Sequence, residues 1–208
     1  LIKTITNGNT TSYKNSKLKT GQTYYYKVQA VGKTGGYTGE GKLSNVKSGK
    51  TVLKTSVEYV QSASGTKLKL AWQPVADAAG YRIAKSTSKT GKYTVVKEIS
   101  SGKTSTFTDA DVKAGKTYYY KVAVKNKNNG VTGYSEYSDV LGGKAAGATE
   151  METPKSASSA SIELNWKAAS GASGYQIYRS TEKKKGYSKI ATISSRKTVT
   201  YKDTPPKT

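Results

Sequence analysis

The chain has 208 residues, of which 35 are lysine or arginine and 13 are acidic, giving a formal charge of +22, and it contains neither cysteine nor histidine. Those absences exclude disulfides, thiolate chemistry and histidine-based metal or triad sites. Only 34% of the residues are hydrophobic, and no run approaches the ~20 apolar residues that cross a bilayer, so no membrane span is read.

The first distinctive element is the hexapeptide Thr23–Val28, TYYYKV, which returns unchanged at Thr117–Val122. The interval of 94 residues also separates Trp72 from Trp166, Tyr81 from Tyr175, and the successive members of the series Ile5, Ile99 and Ile193. Ser44-Asn45-Val46 meets Ser138-Asp139-Val140 at the same offset. A repeat of that length is a whole domain in tandem, longer than a solenoid unit. The expected organisation is therefore the C-terminal half of one repeat at 1–52, a complete repeat at 53–147, and the N-terminal half of a third at 148–208. The two halves overlap by about twenty residues in repeat coordinates.

Within the complete repeat, segments rich in tyrosine, valine, isoleucine and threonine alternate with Gly, Ser, Asn and Lys turns, and no helical period is sustained. The predicted strands, in chain order, are Val57–Ser62, Lys67–Gln73, Gly80–Lys85, Tyr93–Ile99, Thr104–Thr108, Lys116–Lys125 and Tyr134–Leu141. Seven short strands in about ninety residues imply a sandwich. In the second of them Leu68, Leu70 and Trp72 share one face while Lys67, Lys69 and Ala71 share the other, which is the pattern of a half-buried strand. Ile162, Leu164 and Trp166 repeat it. The linker GGKAAGATEMETP after the seventh strand is rich in small residues and reads as flexible, with Glu150 and Glu152 solvated.

One tryptophan in the second strand, Gly-Tyr opening the third, and VKAGKTYYYKVAV later resemble the fibronectin type III domain. The stretches AAGYRIAKSTSKTGKYTVVKEI and ASGYQIYRSTEKKKGYSKIATI resemble the variety found in large secreted or surface proteins of bacteria. The resemblance covers nearly the whole chain. It implies an all-β fold of tandem seven-stranded sandwiches and an extracellular, secreted or surface location. It also implies that Tyr24 and Tyr118 form the family's tyrosine corner, with the hydroxyl bonding back to the backbone near the preceding turn. Alternation then turns Tyr26 with Val28, and Tyr120 with Val122 and Val124, into the core, and leaves Tyr25 and Tyr119 outward beside Lys27 and Lys121.

Other residues admit two readings. Trp72 and Trp166 could stack on sugars, but their inward neighbours favour the core, together with Tyr81 and Tyr175. Tyr93 and Tyr187 stand near strand starts and are candidate surface contacts, as are Tyr25 and Tyr119. Asp109 and Asp111 form an Asp-x-Asp pair suggestive of a cation, but the equivalent positions are Asn15 and Lys17, and Asp203 and Pro205. A side-chain-to-backbone cap explains one retained aspartate better, so no metal is assigned. A lysine–asparagine isopeptide crosslink would need a buried acid beside it, and no inward position reads as acidic.

No set of residues assembles a catalytic centre, so no enzyme and no cofactor is expected in this sequence. Arg82, Arg179 and Arg196 are the only arginines. The lysine coat, densest around Lys183, Lys184 and Lys185, suits a soluble surface whose strand edges resist unwanted pairing. It would equally attract an anionic cell-wall polymer or acidic polysaccharide, without the arginine-rich chemistry of specific nucleic-acid recognition. The leading expectation is a structural, spacer or assembly-forming element whose partners are neighbouring repeats or copies of itself. A filament built head to tail is one form of it, and a binding module for anionic glycan is the alternative.

Overall fold

The alternation of Leu68, Leu70 and Trp72 organises the middle of the molecule. In the computed structural model, which describes residues 1–128 and 130–204 and so leaves Pro205 outside, these side chains are 0, 0 and 1% exposed. They belong to β6 (Lys67–Trp72), which lies between β5 (Val57–Ser64) and β9 (Thr106–Asp109) in an antiparallel three-stranded sheet. Ala71, expected to face outward, is also buried. It is small and stands directly between Tyr59 and Thr106 on the flanking strands.

The facing sheet is built on β7 (Gly80–Ser86) and β10 (Thr117–Asn128), flanked by β8 (Thr94–Ile99) and β11 (Val131–Tyr134), with β12 (Leu141–Lys144) pairing the start of β10. Tyr81, Ile83, Tyr120, Val122 and Val124 come from this sheet to meet Leu68, Leu70 and Trp72, all of them fully buried. A three-stranded sheet facing a sheet centred on the third and sixth strands is the arrangement of a fibronectin type III sandwich. The fold is all-β, of that type.

The Gly-Tyr dipeptide that opens β7 has a steric cause. A Cβ at Gly80 would fall on the carbonyl oxygen of Ile99, so only glycine lets the strand pair so closely with β8. The following Tyr81 packs its ring 5.2 Å from that of Trp72. Its hydroxyl accepts from the Val75 N–H at 3.0 Å and donates to the Gly102 carbonyl at 3.2 Å, which satisfies a polar atom carried into the core.

Two expectations are corrected here. The stretch Tyr134–Leu141 is not one strand but an irregular run between β11 and β12. The Ser138 Oγ accepts from the Val122 N–H and the Ser135 Oγ from the Val124 N–H, both at 2.9 Å. The Ser138 and Ser135 N–H groups donate to the carbonyls of the same two valines. Three residues of the run thus span two of β10, and serine hydroxyls replace ladder bonds, as at a bulge. The supposed flexible linker is likewise engaged. Its first residues extend β12, Ala145 is fully buried, and the backbones around Glu150 and Glu152 bond to Lys167 and Asn165. Glu150 also pairs with Lys167 at 2.8 Å, both side chains well exposed.

On either side of this sandwich lie partial sheets. Before it, β1 (Thr23–Tyr26) pairs with β4 (Lys47–Lys50), and β2 (Val31–Thr34) with β3 (Tyr37–Glu40). After it, β14 (Ser161–Asn165) lies between β13 (Lys155–Ser158) and β17 (Thr200–Asp203), and β15 (Tyr175–Arg179) pairs with β16 (Ser188–Ile193). Several residues read as core are consequently less covered. Val28 is 74% exposed, and Tyr24 and Tyr26 are only half-buried, because among the described residues no second sheet closes over them; Tyr175 is half-buried too, since among the described residues β15 has β16 on one side and no counterpart of β10 on the other. Trp166 remains buried at 5%, with the Tyr175 ring 5.3 Å away.

Candidate functional site

The turn that introduces β10 requires a left-handed glycine. Gly115 has φ +76° and its counterpart Gly21 +75°, a region that a side chain would strain. Just after each turn, a tyrosine hydroxyl reaches back to the backbone. Tyr118 accepts from the Lys113 N–H at 3.1 Å, and Tyr24 from the Lys19 N–H at 2.9 Å. The next inward tyrosine, Tyr120, is fully buried and donates to an Asp109 carboxylate oxygen at 2.8 Å.

That carboxylate overturns the expectation that no inward position is acidic. Asp109 is only 4% exposed. One oxygen caps the Asp111 N–H at 2.9 Å, as the capping reading anticipated. The other takes both the Tyr120 hydroxyl and the Lys85 ammonium, the latter at 2.8 Å. Lys85 also donates to the Asp111 carbonyl at 2.8 Å. A buried ion pair of this kind persists only when its remaining donors and acceptors are satisfied, and here they are. Burial, together with the bond to Asp109, pushes the Tyr120 hydroxyl far above the ordinary tyrosine range. In the C-terminal sheets Arg179 takes the place of Lys85 and bonds Asp203 at 3.0 and 3.2 Å. In the N-terminal ones Asn15 meets Tyr26 at 3.2 Å.

The outward face of the larger sheet carries the second constellation. The Arg82 guanidinium lies 3.6 Å over the Tyr134 ring and is ion-paired with Glu98, which also accepts from the Tyr134 hydroxyl at 3.1 Å. The Arg82 pKa rises, first through its bond to Glu98. Beside it, the Lys121 ammonium sits 4.3 Å from the Tyr93 ring and 4.6 Å from that of Tyr137, in cation–π range of both. Burial raises the Tyr93 and Tyr134 hydroxyls as well. These contacts brace β7, β8, β10 and the run after β11 from outside. They also present a half-buried aromatic and cationic strip to solvent.

Each candidate surface residue can now be placed. Tyr93 and Tyr119 join that strip, half-buried, and the Tyr119 ring covers the Cα of Gly142. Tyr25 is 72% exposed and Tyr187 57%. The Tyr187 hydroxyl donates to the Lys183 carbonyl at 3.1 Å, and Lys185 pairs with Glu182 at 3.3 Å, while Lys183 and Lys184 project freely into solvent. Tyr93 and Tyr187 are therefore not brought together, and neither joins the lysine run into one pocket. Sequence reasoning missed Arg82, Tyr134 and Tyr137. The signal was available in Arg82, one of three arginines, placed at an outward position between Tyr81 and Ile83. Among the described residues no group of three acidic side chains is gathered that could hold a metal ion.

No protein-family profile matches the chain and no curated protein does. Among solved structures it is similar to the FN1–FN3 domains of chicken CNTN1, at 18% identity and a TM-score of 0.46, over 89% of this chain and 65% of that one. The chain thus spans slightly less than two thirds of that structure. A Fn3-like protein from Clostridium thermocellum is 27% identical, with a TM-score of 0.33, over 43% of this chain and 94% of that one. A β-1,2-glucanase from Parabacteroides distasonis is 22% identical, with a TM-score of 0.34, over 50% of this chain and 15% of that one.

Proposed function

We propose that the chain is a tandem array of fibronectin type III-like sandwiches, divided at 1–52, 53–147 and 148–208, that works as an extracellular spacer or assembly element at a bacterial surface. The observation that carries this reading is the pair of joints. At the first, the Asn128 amide donates to the Ser48 carbonyl at 3.1 Å and Lys50 pairs with Asp77 at 3.2 Å. At the second, the Gly147 N–H donates to the Ser170 carbonyl at 2.7 Å, and Gly115 and Gly171 bring their backbones together. Direct contacts at both junctions, made by side chains at the first and by backbone to backbone at the second, suit a stiff arrangement, unlike the loose polar linkers of independently moving domains. Small-angle X-ray scattering checks it. The array reading expects an extended particle whose profile fits one rigid conformation. A profile that requires free rotation at both joints would overturn it.

A second reading rests on the lysine coat and the Tyr93–Lys121–Tyr137 strip, which together suit an anionic glycan or cell-wall polymer. Titration with a polyanionic polysaccharide tests it. Saturable binding lost in Lys121→Ala supports a site at the strip, and unaltered binding in that variant removes it.

A further inference from the structure

The turn between β14 and β15 and the turn between β6 and β7 each pass through a left-handed residue. In the first of these it is Gly171, at φ +78°, and in the second, one repeat earlier, it is Asp77, at φ 60°. Both turns face the unit that precedes them in the chain. We propose that this exchange of glycine for aspartate makes the second joint a fixed interlock and the first a releasable latch, so that the array bends between Thr51 and Thr55. This deepens the array reading above and rests on it.

At the second joint the contact is made by backbone. The Ala145 carbonyl accepts from the Gly115 N–H at 2.8 Å. A Cβ on Gly171 would fall on that same oxygen and within 3.1 Å of the Gly115 Cα. A Cβ on Gly115 would in turn meet the Ser170 Oγ, and the Gly147 N–H donates to the Ser170 carbonyl at 2.7 Å. The glycines let the two backbones approach this closely, and no long side chain has to be held in one rotamer to keep them there.

The same arrangement is sterically closed to the first joint. Thr51 corresponds to Ala145, and its carbonyl accepts from the Gly21 N–H at 3.2 Å. The Cβ of Asp77 occupies the space into which that carbonyl would have to move. Ala76 and Leu53 stand where Ser170 and Gly147 do, and a Cβ on Gly21 would meet nothing within 4 Å. Side chains make the joint instead. The Asp77 carboxylate pairs with Lys50 at 3.2 Å. The Asn126 and Asn128 amides at the end of β10 donate to the Lys50 and Ser48 carbonyls at 3.4 and 3.1 Å.

Those are contacts that water replaces. The Lys50 and Asp77 side chains are 49 and 81% exposed, and an exposed ion pair or amide exchanges its partner for solvent at little cost. None of them belongs to a sheet ladder, so the latch can open while β1 stays paired with β4 and the middle sandwich stays closed. The hinge is bounded on both sides. The Thr51 N–H donates to the Gln22 carbonyl at 3.0 Å, which ties it to the first unit. Thr55 is buried, and its hydroxyl donates to the Gln73 carbonyl at 2.6 Å, which ties it to the second. An elbow at one joint and a lock at the other let a surface element change its reach while its last two units keep their alignment.

Because the chain has no cysteine, spin labels can be placed in pairs. Lys42→Cys with Lys97→Cys spans the first joint, and Lys97→Cys with Lys189→Cys spans the second; all three lysines are exposed. Pulsed electron paramagnetic resonance reads the width of each distance distribution. Lys50→Glu sets two carboxylates against each other and should broaden the first distribution at least about twofold, with the second unchanged. Adding Asp77→Lys rebuilds the pair with its charges exchanged and should restore the narrow width; Lys17, at φ 61°, shows that lysine takes this conformation in the chain. Equal broadening at both joints, or broadening that Asp77→Lys does not reverse, would overturn the latch. Narrow distributions at both joints in every variant would remove the latch and leave the array reading standing. Broad distributions at both joints in the labelled chain without further substitution would overturn the array reading and the latch with it.

Discussion

The buried Lys85–Asp109–Tyr120 cluster gives the sharpest test of how the middle sandwich is held together. In Asp109→Ala the Tyr120 hydroxyl, in a fully buried side chain, loses its acceptor, and the Lys85 ammonium loses its nearer carboxylate partner, keeping only the exposed Asp111 carboxylate at 3.8 Å. The Lys85 side chain is only 13% exposed, so solvent does not rescue it. Removing one member of a buried pair costs about 3–5 kcal/mol. Lys85 retains the Asp111 carbonyl at 2.8 Å, which places the expected loss at the low end, about 3 kcal/mol. The reverse truncation, Lys85→Met, should cost less, about 1–2 kcal/mol, because the Asp109 carboxylate keeps two donors and the methionine keeps the apolar stem. The double variant should cost less than the sum of the two, since neither then strands a charge. Urea unfolding followed by Trp72 fluorescence in a Trp166→Phe background reads this directly. A 3 kcal/mol loss shifts the midpoint by about 1–3 M for ordinary denaturant slopes. A shift under about 0.5 M for Asp109→Ala, or strict additivity in the double variant, would refute the account of a desolvated, mutually dependent pair.

Three further outcomes are expected. Trp72→Ala, which empties the centre of the core, should destabilise the sandwich by about 3–5 kcal/mol in calorimetry, and an unchanged transition would return Trp72 to the role of a sugar platform. Tyr120 is held protonated in the folded state by burial and Asp109, while an unfolded tyrosine ionises near pH ~10. The folded chain then binds the extra proton, so this contribution is complete below that pH and stability falls by about 1.4 kcal/mol per unit above it. Alkaline unfolding curves should show that part of the slope missing in Tyr120→Phe. Binding to a heparin-like polymer should weaken steeply between low and physiological salt, as lysine-borne attraction does, and affinity that survives high salt would indicate a specific site.

Much of this was legible from residue order, and the failures have local causes. Trp72, Tyr81 and the glycine before it were readable because period-two alternation and one steric demand fix them. Asp109 was not, because aspartate after a threonine-rich stretch reads as a turn residue, which ends the expected strand at Thr108. β9 continues one residue further, opposite Leu68, and alternation from Phe107 then carries Asp109 inward. The Tyr134–Leu141 run has the tyrosine and valine content of a strand, although Tyr134, Tyr137 and Val140 recur every third position and not every second. Its serines can stand in for ladder partners, and nothing in the order of residues announces that they do. Arg82 over Tyr134 joins strands remote in sequence, and no periodic pattern encodes that contact.

The two TYYYKV copies separate what the local sequence determines from what a partner sheet determines. Both have the left-handed glycine, the tyrosine bonded back to the turn, and the paired serine bonds to the following valine. In the middle sandwich the strand then runs unbroken from Thr117 to Asn128 beside β7. In the N-terminal copy it lapses after Tyr26 and resumes at Val31. The contacts common to both lie within one hairpin-like unit and need nothing beyond it. The continuous ladder and the burial of the valine require β7 alongside. A single strand edge, repeated with and without its neighbour in one chain, thus shows that the tyrosine triplet is prepared locally and that its inward members become core only when another strand is laid against it.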